Sequence, residues 1–272
     1  MSTASRRARF SYVMTFRSDL GMRAANLHAV LRWLSQIHNM EVVLVEQDRT
    51  PTITIDTLPS NCNHCFVYNA GPFNKAWGLN VGFKRSSGAV LGFGDADLVT
   101  NAARLMACYE RCDSEFEAMK PYDRLIDLTS EESRSVLEGN WNINADRKAQ
   151  PRNREGIGEY VSFCGGLFLL RRDLYEELGG FDERFLGWGG EDDAMSVKLS
   201  RLVKRRGVLQ NQIAYHLWHE RSVASRYFHS HYKQNLARTK WYASCDTQTL
   251  MLLCQQDRLT MGRLDRYDNC KL

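Results

Sequence analysis

Long hydrophobic runs are missing from this sequence. No stretch approaches the roughly 18 consecutive apolar residues that a membrane-spanning helix requires. The opening Met1-Ser2-Thr3-Ala4-Ser5-Arg6-Arg7 is not followed by an apolar segment of secretory-signal length. A cytoplasmic protein with no membrane span is the expectation. Internal repeats and low-complexity tracts are also missing, which excludes solenoids and flexible linkers. Nor is the chain short of core-forming residues. Of its 272 residues 43% are hydrophobic and 25% charged, an ordinary globular balance that excludes disorder. That length fits one large domain, or one domain with a small appendage.

The eight cysteines do not form the framework of a short secreted chain. Cys62-x-x-Cys65 and Cys108-x-x-x-Cys112 have spacings a zinc site can use. Cys65 opens the apolar run Cys65-Phe66-Val67-Tyr68, however, which favours free thiols packed in a core. The net charge of +4 conceals an asymmetry. Residues 201 to 240 carry nine Lys/Arg against one acid, Glu220, while the rest of the chain carries 27 against 31. Such a segment is either a solvated face or a surface for phosphates.

Apolar and β-branched clusters predict strands at Phe10–Phe16, Glu41–Glu46, Cys65–Tyr68, Ala89–Phe93, 160–170 and Ile213–Trp218. Leu27, Val30, Leu31, Leu34 and Ile37 recur at the spacing of one helix face. Further helices are expected over Phe73–Lys84, 98–119, Arg171–Leu178, Glu191–Arg206 and the tail from Lys233, where Leu236, Leu250, Leu252 and Leu253 are candidate packing residues. Residues 129 to 158 are polar and read as a long loop of lid-like character. Alternating strands and helices predict an α/β fold with a mostly parallel sheet. Ligands of such sheets bind beyond the carboxyl ends of the strands, where Glu46-Gln47-Asp48 and Asp95-Ala96-Asp97 fall.

Two segments carry chemistry. Asp95-x-Asp97 follows a buried strand, and two carboxylates at this spacing can share a hard divalent cation. Taken alone the pattern is more often a turn or a helix cap. Gly187-Trp188-Gly189-Gly190-Glu191-Asp192-Asp193 is the most unusual stretch of the chain. Its glycines allow close backbone approach, Trp188 offers a flat apolar face of the kind on which sugars pack, and the acids open a helix.

With these segments in view, the chain resembles the β-1,4-galactosyltransferases. Phe73-Asn74-Lys75-Ala76 with Leu79-Asn80-Val81-Gly82-Phe83 is similar to their Phe-Asn-Arg-Ala and Leu-Asn-Val-Gly-Phe. Asp95-Ala96-Asp97-Leu98 is similar to Asp-Val-Asp-Leu, and Thr15-Phe16-Arg17 to Pro-Phe-Arg. Gly165-Gly166, Gly180-Phe181 and Gly187 to Asp193 follow in the family's order. The likeness covers roughly residues 10 to 220. Bacterial chondroitin-type polymerases and polypeptide N-acetylgalactosaminyltransferases share parts of it.

The resemblance implies a GT-A, Rossmann-like nucleotide-sugar-binding fold with a helical C-terminal tail. The catalytic domain would span 1–232, with a nucleotide-binding part at 10–100 and an acceptor part at 159–220, followed by an extension at 233–272. It implies a UDP-sugar donor and Mn²⁺ (or Mg²⁺). By position, Asp97 would ligate the metal and Asp95 the metal or the ribose. Phe16, Arg17 and Glu46 would line the nucleotide site, and Lys75 would meet the diphosphate. Trp188 and Gly190 would pack on the sugars, Glu191 would hold hydroxyls, and Asp192 would be the general base. A further metal ligand is expected from His216, which continues a strand, or from His219. Aspartate at 192 can accept a proton, which favours inversion and a β-linked product. Phe163-Cys164 stands where relatives often have Tyr-Phe, so Gal, GalNAc and Glc are not separated. The acceptor would be a glycan or glycolipid. The second reading is a hydroxylated base in nucleic acid. It is motivated by Arg221, Arg226, Tyr227, Phe228, His229, His231, Tyr232, Lys233, Arg238, Lys240, Trp241 and Tyr242, which interleave charge with aromatics. The third is a non-catalytic sugar-binding protein on the same fold.

Overall fold

A computed structural model describes residues 10–18, 21–143, 162–220 and 230–270. Its main sheet has seven strands in the order β3-β2-β1-β4-β8-β6-β9. They are β1 (Phe10–Phe16), β2 (Met40–Asp48), β3 (Cys62–Tyr68), β4 (Val90–Gly94), β6 (Ala118–Lys120), β8 (Leu167–Arg171) and β9 (Arg206–Val208). Strands β3, β2, β1 and β4 run parallel, β8 is antiparallel to both β4 and β6, and β9 is parallel to β6. This is the mostly parallel α/β sheet that the sequence predicts.

Alternation along the buried strands divides the core in two. Phe10, Tyr12, Met14 and Phe16 of β1, with Met40, Val42 and Leu44 of β2, pack with Leu27, Val30, Leu31 and Leu34 of helix α1 (Met22–Ser35). Val13, Val43 and Val45 point to the other face. There they meet Trp77, Leu79, Val81 and Phe83 of α2 (Lys75–Arg85). Cys62 and Cys65 lie three residues apart on β3 and so alternate to opposite faces, which excludes a joint zinc site.

A second, three-stranded sheet has the order β5-β10-β7, with β5 (Leu98–Thr100), β7 (Arg124–Asp127) and β10 (Ile213–His216). The helix expected over 98–119 is therefore three elements: β5, α3 (Ala102–Ser114) and β6. Asn101 sets the boundary, because its side chain accepts from Arg104 N and caps α3. The loop expected from 129 also begins as a helix, α4 (Ser130–Leu137). Thr129 and Glu132 form a reciprocal capping box there. Residues 144 to 158 of that expected loop, and 160–161 of the expected strand, lie outside the described residues.

Helix α5 (Arg172–Glu177) ends at Gly179 and Gly180, both in left-handed backbone, as the Gly pair predicts. Helix α6 (Glu191–Leu202) follows the glycine-rich segment and stops short of the expected Arg206, which belongs to β9. The tail holds two helices, α7 (Tyr232–Ser244) and α8 (Thr247–Thr260), the second capped by Asp246. They dock through Phe185, Ala194, Tyr242, Leu250 and Leu253. Burying a leucine such as Leu250 contributes roughly 1.5–3 kcal/mol before entropy. Leu236 and Leu252, expected to pack, are 41% and 54% exposed. No helix among the described residues is long and apolar enough to cross a membrane.

Candidate active site

At the carboxyl end of β1 and β4 the main sheet opens into a cavity of about 700 Å³. Its walls include Phe16, Arg17, Lys75, Asp95, Asp97, Trp188, Gly190, Glu191, Asp192, His216 and His219. Of the site residues read from the sequence, Glu46 alone is not in this wall. Its carboxylate is fully buried, accepts from Thr52 N, Thr52 Oγ1 and Ile53 N, and pairs with His64 Nε2 at 2.9 Å. Glu46 thus fixes the chain after β2, behind the site.

The small sheet assembles a group able to hold a metal. In its register His216 of β10 lies opposite Leu98 of β5 and Asp127 of β7. Leu217 N donates to Asp97 O at 2.7 Å, so Asp97 is carried to the end of β10. His216 Nε2 and His219 Nε2 then stand 3.5 and 3.4 Å from the two oxygens of Asp97. One ligand atom from each residue falls within 4.8 Å of the others. Both of the histidines expected as alternatives thus lie in this group. His216 Nδ1 faces Asp127 Oδ1 at 3.0 Å, and His219 Nδ1 faces Glu220 O at 2.9 Å. Each ring is oriented through Nδ1 and presents Nε2, the arrangement of metal-bound histidines. Burial holds the His219 imidazole below its ordinary range, and Asp97 only partly opposes this, so the neutral form that ligates is favoured. Burial raises Asp97, but the cationic groups around it, His216 and His219 when protonated together with Arg23 and Lys75, outweigh that and set its carboxyl below the usual range.

Asp95 points elsewhere. Lys75 Nζ sits 2.9 Å from Asp95 Oδ1, 2.9 Å from Asp192 Oδ2 and 3.8 Å from Glu191 Oε1. Lys75 is the first residue of α2, where the helix dipole disfavours a cation. The three carboxylates offset that cost and, against the pull of burial, raise the ammonium well above its usual range. Buried amides aim the helix. Asn74 Oδ1 accepts from Trp77 N at 2.9 Å, and Gln47 Nε2 donates to Asn74 O and to Thr15 Oγ1. Arg17 is a clamp of the same kind. It donates to the carbonyls of Gln47, Asn69 and Gly71 at 2.8–2.9 Å, which ties β1 to the turn before α2.

The glycine-rich segment enters from the other side. Gly187 N donates to Phe73 O at 2.8 Å. Gly190, at φ +96°, caps α6, and a Cβ there would meet Thr239 Oγ1 at 2.5 Å and the Phe185 ring at 2.6 Å, so only glycine fits. Glu191 and Asp192 are then the first two residues of α6. Burial, with the charge of Asp192 beside it, pushes the Glu191 carboxyl up to about 7. Burial also raises Asp192, opposed by Lys75.

Several wall residues escaped the sequence reading: Arg23, Ser162, Asn235 and Thr239 all line the cavity, as does Tyr232, which was read there only as part of a nucleic-acid surface. None sits in a distinctive motif, although Ser162 precedes Gly165-Gly166. Phe163 and Cys164 pack with the core beneath α2. Among the described residues, the aromatic and basic side chains around α7 do not make one surface. Tyr242 is buried and donates to Asp182, Arg238 lies over the Phe185 ring, and Tyr232 faces the cavity. Arg221, Arg226, Tyr227, Phe228 and His229 lie outside the described residues.

Comparison with known proteins follows the same lines. A family profile described as the N-terminal domain of galactosyltransferase matches residues 153–220. Human chondroitin sulfate N-acetylgalactosaminyltransferase 1 is 26% identical over 175 residues, 63% of this chain and 32% of the relative. Human chondroitin sulfate N-acetylgalactosaminyltransferase 2 is 28% identical over 166 residues, 60% of this chain and 29% of the relative. The chain thus spans about a third of the length of the curated relatives it matches. Among solved structures, S. aureus TarS with UDP-GlcNAc superposes with a TM-score of 0.56 at 13% identity, over 97% of this chain and 76% of that one. A Drosophila β1,4-galactosyltransferase 7 complex with manganese, UDP-Gal and xylobiose gives 0.47 at 19% identity, over 75% and 66%. The chain thus has the GT-A type of fold seen in TarS, and in sequence it is similar to the galactosyl- and N-acetylgalactosaminyltransferases.

Proposed function

We propose that the chain moves a hexose or N-acetylhexosamine (Gal, GalNAc or Glc) from a UDP-sugar to an acceptor hydroxyl of a glycan or glycolipid, with inversion, and with Asp192 as general base. The observation that carries this reading is a shared opening. The group formed by Asp97, His216 and His219 and the carboxylates of Glu191 and Asp192 face one cavity. Two imidazoles and a carboxylate, with further positions open to substrate oxygens, suit Mn²⁺ bound beside a diphosphate better than Mg²⁺, which prefers oxygen ligands throughout. Bound there, the ion would neutralise charge developing on the departing diphosphate.

The chain's own residues do the rest. Lys75, on the first turn of α2, adds a cation to a helix terminus that already favours anions. The donor diphosphate competes with Asp95 and Asp192 for it. Release from Lys75 leaves Asp192 as a buried carboxylate of raised proton affinity, fit to take the acceptor's hydroxyl proton. Displacement on the face opposite the diphosphate then inverts the anomeric carbon. Glu191 holds hydroxyls, and Trp188, 38% exposed in the wall, offers its face to a sugar ring. Asp192→Asn tests the assignment. Transfer should fall by at least about 10³-fold, at the upper part of what general base catalysis contributes, while UDP-sugar binding by calorimetry stays within a few-fold. Turnover near the wild-type rate in this variant removes Asp192 from the mechanism.

A further inference from the structure

We infer that Asn26 of α1 and Ser133 of α4 are positioning residues for the metal group, a role that rests on the metal reading above. Together they clamp the Trp218 peptide, one residue before His219, and so set where that imidazole stands. Trp218 N donates to Ser133 Oγ at 2.7 Å, and Trp218 O accepts from Asn26 Nδ2 at 3.1 Å. Both side chains are fully buried. The pairing of β10 ends at His216, whose carbonyl accepts from Leu128 N, and Leu217 N donates to Asp97 O. Past that point the two helices take over. His216 needs no such help, because it lies in the strand and Asp127 turns its ring. His219 Nδ1 faces only the carbonyl of the next residue, Glu220, so the ring moves with the peptide that carries it.

Stability does not account for Asn26. It is the one polar side chain among the buried residues of α1, which are otherwise Leu27, Ala29, Val30, Leu31, Trp33 and Leu34. Asparagine is a poor helix former. Its Oδ1 is buried and has no hydrogen-bond partner among the described residues. A half-satisfied buried amide costs stability where an apolar side chain would pack with its neighbours. What Asn26 does supply is the bond to Trp218 O. Ser133 is placed with similar care. It follows directly on the capping box of Thr129 and Glu132, which fixes the first turn of α4 and with it the hydroxyl that receives Trp218 N.

Calorimetric titration of the full chain with Mn²⁺, and in parallel with Mg²⁺, tests the clamp. In Ser133→Ala and in Asn26→Leu the affinity for Mn²⁺ should fall about tenfold, the lower end of the cost of losing a support around a metal ligand. Mg²⁺ gains little from an imidazole, so its affinity should change by less than about threefold and the preference for Mn²⁺ should narrow. Melting temperatures without metal should stay within about 5 °C of wild type. Ser133→Ala decides alone if Asn26→Leu melts below that range. The control is Asp246→Ala, which removes the cap of α8 outside the cavity wall. It should lower the melting temperature by a few degrees and leave both affinities within about twofold. A wild-type chain that binds neither ion counts against the metal reading itself. Where the wild type binds Mn²⁺, three results overturn the clamp alone: affinity kept in the variants, equal losses of Mn²⁺ and Mg²⁺, or a matching loss in the control.

Discussion

At the scale of single residues, the site depends on groups that no motif would single out. Asp127 accepts from His216 on the side away from Asp97 and keeps the ring's Nε2 turned to the cavity. Asp127→Asn should therefore weaken Mn²⁺ binding about 10- to 100-fold, the usual cost of losing such a support. Calorimetry of Mn²⁺ binding checks this, and a melting temperature near wild type separates the effect from unfolding. Protonation gives a second prediction. Burial and Asp192 raise Glu191 to about 7, so between its unfolded range near 4.5 and about 7 the folded state binds the extra proton. Stability of the ligand-free protein should fall as pH rises through that window. The slope should flatten in Glu191→Gln, as thermal melts at pH 5 and pH 7.5 would show.

Among elements, long strands and amphipathic helices were legible and short ones were not. The apolar run over Phe10–Phe16 reads as a strand because it is buried on both faces, and α1 follows from its apolar spacing. Strands β5 and β6 are three residues each, too short to show alternation, and merge by eye with the helix between them. Helix α4 was missed although Thr129-x-x-Glu132 announces its start, because the polar composition around it suggested a loop. In the tail, Asp246 divides what reads as one helix. Helix α2 allows a test at this scale. Asn74 caps it and also donates to Glu183 O and to the Tyr267 hydroxyl. Asn74→Ala should cost about 2 kcal/mol, the upper range for a lost cap because buried partners are stranded as well. It should also raise the KM for donor, since α2 places Lys75. Urea melts and donor titration read the two effects independently.

In the whole molecule, the cavity sits where two sheets meet. The parallel sheet delivers Thr15–Arg17 and Asp95 to one rim, and the small sheet brings Asp97 to His216 and His219. The first rim could be read from sequence because strand ends follow from hydrophobic runs. The pairing of β10 between β5 and β7 joins segments more than 80 residues apart, and no local pattern records it. For the same reason the histidines were foreseen only as alternatives, and the wall contributed by α7 was not foreseen. Trp188, Glu191 and Asp192 were legible because glycines on both sides of Trp188 mark a backbone that must take left-handed turns.

The central claim is metal-dependent use of a nucleotide sugar. Its most direct test is a panel of UDP-Gal, UDP-GalNAc, UDP-Glc and UDP-GlcNAc, each offered with Mn²⁺ and with EDTA, read by thermal shift and by release of UDP. The account predicts stabilisation and UDP release with at least one of the first three donors in Mn²⁺, both abolished by EDTA. No response to any donor, or an equal response in EDTA, would contradict it.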